Sequence, residues 1–176
     1  MAESVIFLKL SFNGQTYVNG SATLQGFADQ IEIESFGWGA EAEQISSNLG
    51  KAGKDQTTLK MRSMELSKFY DKSSVKLMSG ATNRTRVKSA LLTFATLIMT
   101  PRGEVPSKVL EMEMSDGYIE GLKLGAQESG KSISVKEDFT LSFTRLKLTY
   151  TPVSDGVAAR KGAAKIFDYQ AAPSVA

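Results

Sequence analysis

Apolar residues recur at every second position over much of this chain, and that spacing commits it to β-structure. In residues 107–114, Leu110, Met112 and Met114 alternate with Glu111 and Glu113. In residues 133–143, Ile133, Val135, Phe139, Leu141 and Phe143 share one parity. From Leu146 the parity flips: Leu146, Leu148 and Tyr150 are apolar, with Arg145 and Lys147 on the alternate positions. A one-residue change of phase marks a bulge or a bend that carries the chain from one sheet layer to the next. The same change separates Ile31/Ile33 from Phe36/Trp38. Further strand signals lie at residues 5–10, 57–64, 87–99 and 118–124, and about seven or eight such strands with glycine-containing turns predict an all-β chain. Its expected form is a compact antiparallel two-sheet β-barrel or a sandwich.

One short helix interrupts this pattern, expected at about residues 67–79. Phe69, Tyr70, Val75, Leu77 and Met78 supply its apolar side, Asp71 and Ser73 offer capping acceptors, and Gly80 stands where a stop is expected. Residues 40–56 lack strand periodicity and predict an extended loop, longer than compact domains usually leave without a function. The tail, residues 153–176, is rich in Ala and Gly apart from a short strand signal at 165–169. At 176 residues, against roughly 150 per domain, residues 1–176 read as a single domain.

The chain contains no cysteine and no histidine, which removes disulfides, thiolate nucleophiles, Ser-His-Asp catalysis and nearly all transition-metal sites. No cofactor and no metal site is expected. Charge is balanced, with 21 Lys plus Arg against 19 Asp plus Glu, which lacks the concentrated basic footprint of nucleic-acid binding. The nearest basic cluster, Arg84, Arg86 and Lys88, reads as a solvated strand edge. The start, Met1-Ala-Glu-Ser, is acidic where a signal peptide is basic. The apolar stretch Val5-Ile6-Phe7-Leu8 ends at Lys9, so neither a signal peptide nor membrane insertion is expected.

The remaining chemical options are thin. Glu32/Glu34 and Glu111/Glu113 are i, i+2 carboxylate pairs whose Cα atoms would lie roughly 6.5 to 7 Å apart on one strand face. Glycosidases place such a pair on different elements across a cleft, so the polar outer face of a strand is the better reading. Ser73 and Lys76 share a helical face but have no oxyanion site beside them. Gly37-Trp38-Gly39 lacks the third glycine of a dinucleotide fingerprint. Phe36 and Trp38 read as core anchors.

In order along the chain stand Ile6-Phe7-Leu8-Lys9-Leu10, then Ile31-Glu32-Ile33 leading to Phe36-Gly37-Trp38-Gly39, a Gly/Ser-containing loop, Lys68-Phe69-Tyr70-Asp71-Lys72-Ser73-Ser74, and Tyr150-Thr151-Pro152. This order and spacing resemble the Hcp (haemolysin-coregulated protein) family of the bacterial type VI secretion system. The resemblance implies a β-barrel subunit of two sheets with one flanking helix, forming a hexameric ring that stacks into the secretion tube. Implied partners are other copies of itself, the sheath, spike and baseplate proteins, and effector cargo held in the ring lumen. It also implies no catalysis, and synthesis in the cytoplasm followed by export through the apparatus. Within that frame, Ser35 and Gly37, opposite in parity to Phe36 and Trp38, are expected to face the lumen. Glu41, Glu43, Ser46, Asn48, Lys51 and Lys54 of the long loop are expected to contact the next ring. The competing reading is a small-ligand-binding β-barrel of lipocalin or avidin type, whose apolar residues would line a closed pocket.

Overall fold

The computed structural model describes residues 4–13, 17–45, 56–101, 103–129, 132–152 and 165–170. These form β1 (Ser4–Phe12), β2 (Ile31–Ile33), β3 (Ser35–Gly37), β4 (Ala40–Ile45), β5 (Gln56–Met61), β6 (Met64–Phe69), α1 (Ser74–Thr82), β7 (Val87–Thr100), β8 (Gly103–Gly117), β9 (Ile119–Ser129), β10 (Ser132–Leu141), β11 (Arg145–Tyr150) and β12 (Lys165–Gln170). The described residues are all-β apart from α1. A six-stranded sheet runs β12-β11-β8-β7-β1-β2, a four-stranded sheet runs β3-β6-β10-β9, and β4 pairs with β5 in a separate hairpin. Every pairing is antiparallel.

The inward-facing residues of both sheets make one core. Leu8, Leu10, Ile31, Leu92, Met114 and Leu146 from the larger sheet meet Met64, Leu66, Phe139 and Leu141 from the smaller one, all buried. The space that a ligand-binding barrel would leave open is filled by these side chains. The unbroken apolar run at the start of β1 has its own cause, because both faces of that strand are covered. Ile6 and Leu8 pack on the main core, while Phe7 stacks on Phe27, ring centroids 4.5 Å apart, beside Ala22 and Ala95.

Both changes of parity are corners between the sheets. β2 belongs to the six-stranded sheet and β3 to the four-stranded one, and the Glu34 N–H between them donates to Ser67 O at 2.8 Å. β10 and β11 are likewise divided by residues 142–144. Alongside runs a third corner, from β8 through Tyr118 into β9. The two parallel bends are tied by Ser142 N–H to Tyr118 O at 2.9 Å, Tyr118 N–H to Ser142 Oγ at 3.1 Å and Thr144 N–H to Ser115 O at 3.1 Å.

Two expectations need correction. Residues 40–56 are not a structureless loop at their ends, since β4 and β5 pair from Ala40 opposite Met61 to Ile45 opposite Gln56. β5 falls within the strand signal at residues 57–64, but β4 escapes it because Ala40, Glu41 and Ala42 are all exposed, so neither face of that strand needed large apolar residues. The helix expected at 67–79 begins at Ser74, and residues 67–69 continue β6. Met64, Leu66 and Lys68 share its buried face, and a lysine in that place disguised the strand. At the other end α1 runs through Gly80 to Thr82. Gly80 is there for space: a Cβ would lie 2.3 Å from Phe12 Cζ.

Candidate functional site

The outer face of the four-stranded sheet is built from small and polar side chains. Register places Ser35, Ser67, Asp138 and Lys123 in one row across the four strands, and Gly37, Glu65, Thr140 and Gly121 in the next. Ser67 Oγ donates to Asp138 Oδ1 at 2.6 Å. Together these residues line a shallow open groove of about 680 Å³. Ser35 and Gly37 are both exposed on it.

Between them Phe36 points the other way, and its ring meets Phe94 of the larger sheet edge-on at 4.7 Å between centroids. It is not the core anchor expected of it, because 38% of it remains exposed. Phe36 and its neighbours take opposite faces, but among the described residues β3 is an edge strand and no further strand covers its side. Trp38 is half-buried against the main core, 6.4 Å from Phe143, and its Nε1–H donates to Arg62 O at 3.0 Å. Of the residues assigned to ring stacking, Glu41 is exposed and paired with Arg62 of its own chain. Glu43 stands opposite Thr58 in the β4–β5 ladder. Ser46, Asn48, Lys51 and Lys54 lie outside the described residues.

Three of the four carboxylates in the i, i+2 pairs, Glu34, Glu111 and Glu113, are ion-paired on the outer surface. Glu34 accepts from Lys136 at 2.7 Å, Glu111 from Lys108 at 2.7 Å, and Glu113 lies 3.4 Å from Lys147. Arg145 grips Asp168 through Nε and Nη2 at 3.3 and 2.9 Å. That hydrogen-bonded contact lowers the Asp168 carboxyl and raises the Arg145 guanidinium relative to their ordinary values. Arg86 bonds Asp116 at 2.7 Å and Arg84 lies over the Tyr118 ring, as a solvated edge would have them. No cluster of acidic residues suited to a metal occurs among the described residues.

A buried ion cluster, which the sequence reading missed, fixes α1 to this sheet. Lys68 is fully buried, and its Nζ donates to Asp71 Oδ1 at 2.7 Å, Ser74 Oγ at 2.8 Å and Phe69 O at 3.0 Å. Glu137, its cross-strand neighbour on β10, is equally buried, with Oε2 3.1 Å from Nζ. With the lysine's three hydrogens directed elsewhere, that approach is charge against charge. Neither Glu137 oxygen accepts a hydrogen bond. Asp71 also accepts from the Ser73 N–H at 2.9 Å, at the start of α1, and from the Ser21 N–H at 3.2 Å. Three segments of chain therefore converge on one carboxylate. The signal available in the sequence was a lysine at an alternate position of a strand, read instead as the polar side of a helix.

Burial alone would raise the Asp71 carboxyl, but hydrogen bonds from Lys68 and Ser73 outweigh it and hold the group below its ordinary value. A carboxyl whose folded pKa is depressed stabilises the fold above its unfolded pKa, and that contribution is lost as pH falls through the folded one. Denaturant midpoints measured from pH 6 downward should therefore fall below about pH 4. Asp71→Asn should start lower at neutral pH and show a shallower acid slope; equal slopes would count against this role.

The Hcp family model, described as a type VI secretion system effector, matches residues 7–150. No curated protein matches the chain in sequence. Among solved structures it is similar to Hcp1 from Salmonella typhimurium, at 18% identity and TM-score 0.66, over 97% of this chain and 95% of that one. It is also similar to the secreted protein Hcp3 from Pseudomonas aeruginosa, at 12% identity and TM-score 0.63, over 97% and 99%. A further type six secretion system protein matches with TM-score 0.70 at 17% identity, over 94% and 95%. With the family model spanning all but the ends of the chain and the same fold found along almost its whole length, this protein belongs to the Hcp family of type VI secretion proteins.

Proposed function

We propose that the protein is a structural subunit of the type VI inner tube, six copies closing into a ring and rings stacking head to tail. The observation that carries this reading is the four-stranded sheet with two open edges, β3 and β9. An antiparallel sheet with an even number of strands has edges that run in opposite directions. The β3 of a rotated second copy would therefore run antiparallel to β9 and continue the same ladder. Contact between two different edges is heterologous, and such contacts close into rings when the rotation permits.

In such a ring the groove bearing Ser35 and Gly37 faces the lumen. Its small polar side chains suit a passage in which effector cargo is held without being trapped. The β4–β5 hairpin starts from the end of the sheet where Gly37, Glu65 and Thr140 lie, and this hairpin makes the contact with the next ring. The subunit carries out no reaction of its own. Its partners are other copies of the chain, effector cargo, and the sheath, spike and baseplate proteins, and it leaves the cytoplasm through the apparatus. Among the described residues no helix is long and apolar enough to cross a membrane.

Size-exclusion chromatography with light scattering should give roughly six times the 19.0 kDa of one chain. Electron micrographs should show rings with a central hole. A monomer at micromolar concentration without rings would overturn the reading.

A further inference from the structure

The two open edges of the four-stranded sheet differ in chemistry, and the difference is complementary on both faces. On the inner face Phe36 projects from β3 with 38% of its surface exposed, and Leu124 projects from β9 with 47% exposed. Both lie on the core side by register: Phe36 stands opposite Leu66, and Leu124 opposite Glu137, whose side chains are buried. Each is a large apolar group left half-wet, its strand having no outer neighbour among the described residues.

On the outer face the two edges offer one pair of opposite charge, although β9 also bears Glu120 and Glu128 as well as Lys123. Glu65 lies beside Gly37 at the β3 edge, where a Cβ on the glycine would sit 4.0 Å from Glu65 Oε2, so the carboxylate leans over the bare backbone of the edge strand. At the β9 edge Lys123 stands in the row of Asp138 and is exposed. Ser35 and Gly37 are too small to block a long side chain arriving from outside.

We infer that neighbouring subunits meet through these edges, Leu124 of one copy packing on Phe36 of the next while Lys123 reaches across Gly37 to Glu65. The inference rests on the ring reading and adds to it the residues that choose the partner edge. The apolar pair supplies burial and the charged pair supplies direction, since two β3 edges would oppose Glu65 to itself and two β9 edges Lys123 to itself.

The chain has no cysteine, which makes the contact directly testable. Within one subunit β3 and β9 are three strand spacings apart, on the order of 14 Å. A disulfide needs Cα atoms within about 7 Å. Oxidised Phe36→Cys/Leu124→Cys should therefore link only between copies. A non-reducing gel should show a ladder ending at the hexamer, and reduction should collapse it to the single chain. If light scattering finds six-fold rings of the variant and no ladder forms, the contact is wrong and the ring reading stands. If the wild-type chain forms no rings, both fall. A second test does not depend on folding of the cysteine variant. Lys123→Glu and Glu65→Lys should each dissociate the rings, and the two combined should restore them; rings indifferent to either single change would overturn the contact.

Discussion

Gly117→Ala should cost about 4 kcal/mol or more of folding free energy, enough to unfold much of the population of an ordinary domain. The glycine stands at the last position of β8, where the chain bends from the six-stranded sheet into the four-stranded one. A Cβ there would lie 1.7 Å from the Ser142 carbonyl oxygen and 2.9 Å from Phe143 Cα. Both neighbours are backbone and belong to the partner corner, which is held by its own hydrogen bonds to Tyr118. Neither can swing aside as a long side chain would. The constraint is room, not backbone conformation. Gly39→Ala serves as the comparison, because nothing lies within 4 Å of a Cβ built there, and it should stay within about 0.5 kcal/mol of wild type. Urea unfolding followed by far-ultraviolet circular dichroism reads both. Equal midpoints for the two variants would show that the corners can separate, contrary to their packing.

Lys68→Met should destabilise by about 3 to 5 kcal/mol, the range for stripping one partner from a buried ion pair. Methionine keeps most of the volume of the aliphatic stem, so the loss is mainly electrostatic. It leaves Glu137 fully buried without a nearby cation and takes from Asp71 the donor at 2.7 Å. Glu137→Gln should cost less, because it removes the charge contact at 3.1 Å but leaves Lys68 with Asp71 as its counter-ion at 2.7 Å. The combination Lys68→Met with Glu137→Leu should recover part of the loss, since it removes the stranded charge along with its partner. Additive losses in that double-mutant cycle would mean that Lys68 and Glu137 do not interact.

Strands were legible wherever one face of a sheet meets the core and the other meets water. Leu110, Met112 and Met114 alternate with glutamates for that reason, and the flips of parity at Phe36 and Leu146 located two corners between the layers. Legibility failed where the physics departs from that pattern. β4 exposes Ala40 and Ala42 in alternation with glutamates, so its alternation carries no large apolar residue to mark a buried face. The end of β6, residues 67–69, reads as helix because the third inward position of the strand is a lysine, tolerated by acceptors from Asp71, Ser74 and Phe69. Asp71 lies three residues away, but its pairing with a buried lysine is invisible until the strand is recognised. At the candidate site, parity put Ser35 and Gly37 on one face and Phe36 on the other. It did not disclose that β3 is an edge, because strand order follows from pairing between distant segments such as Ser67 with Asp138.

If the subunit is pushed, as the tube reading proposes, the shared corners have a mechanical meaning. In a sandwich of two separate sheets, a force applied to one layer reaches the other across side-chain contacts, which yield by slipping. Here the backbone itself passes between layers at four places, three of them strand corners and the fourth through α1, so load between the layers is carried by covalent bonds as well as by side-chain contacts. The paired bends at Tyr118 and Ser142 act as a crosstie where the two longest load paths turn together.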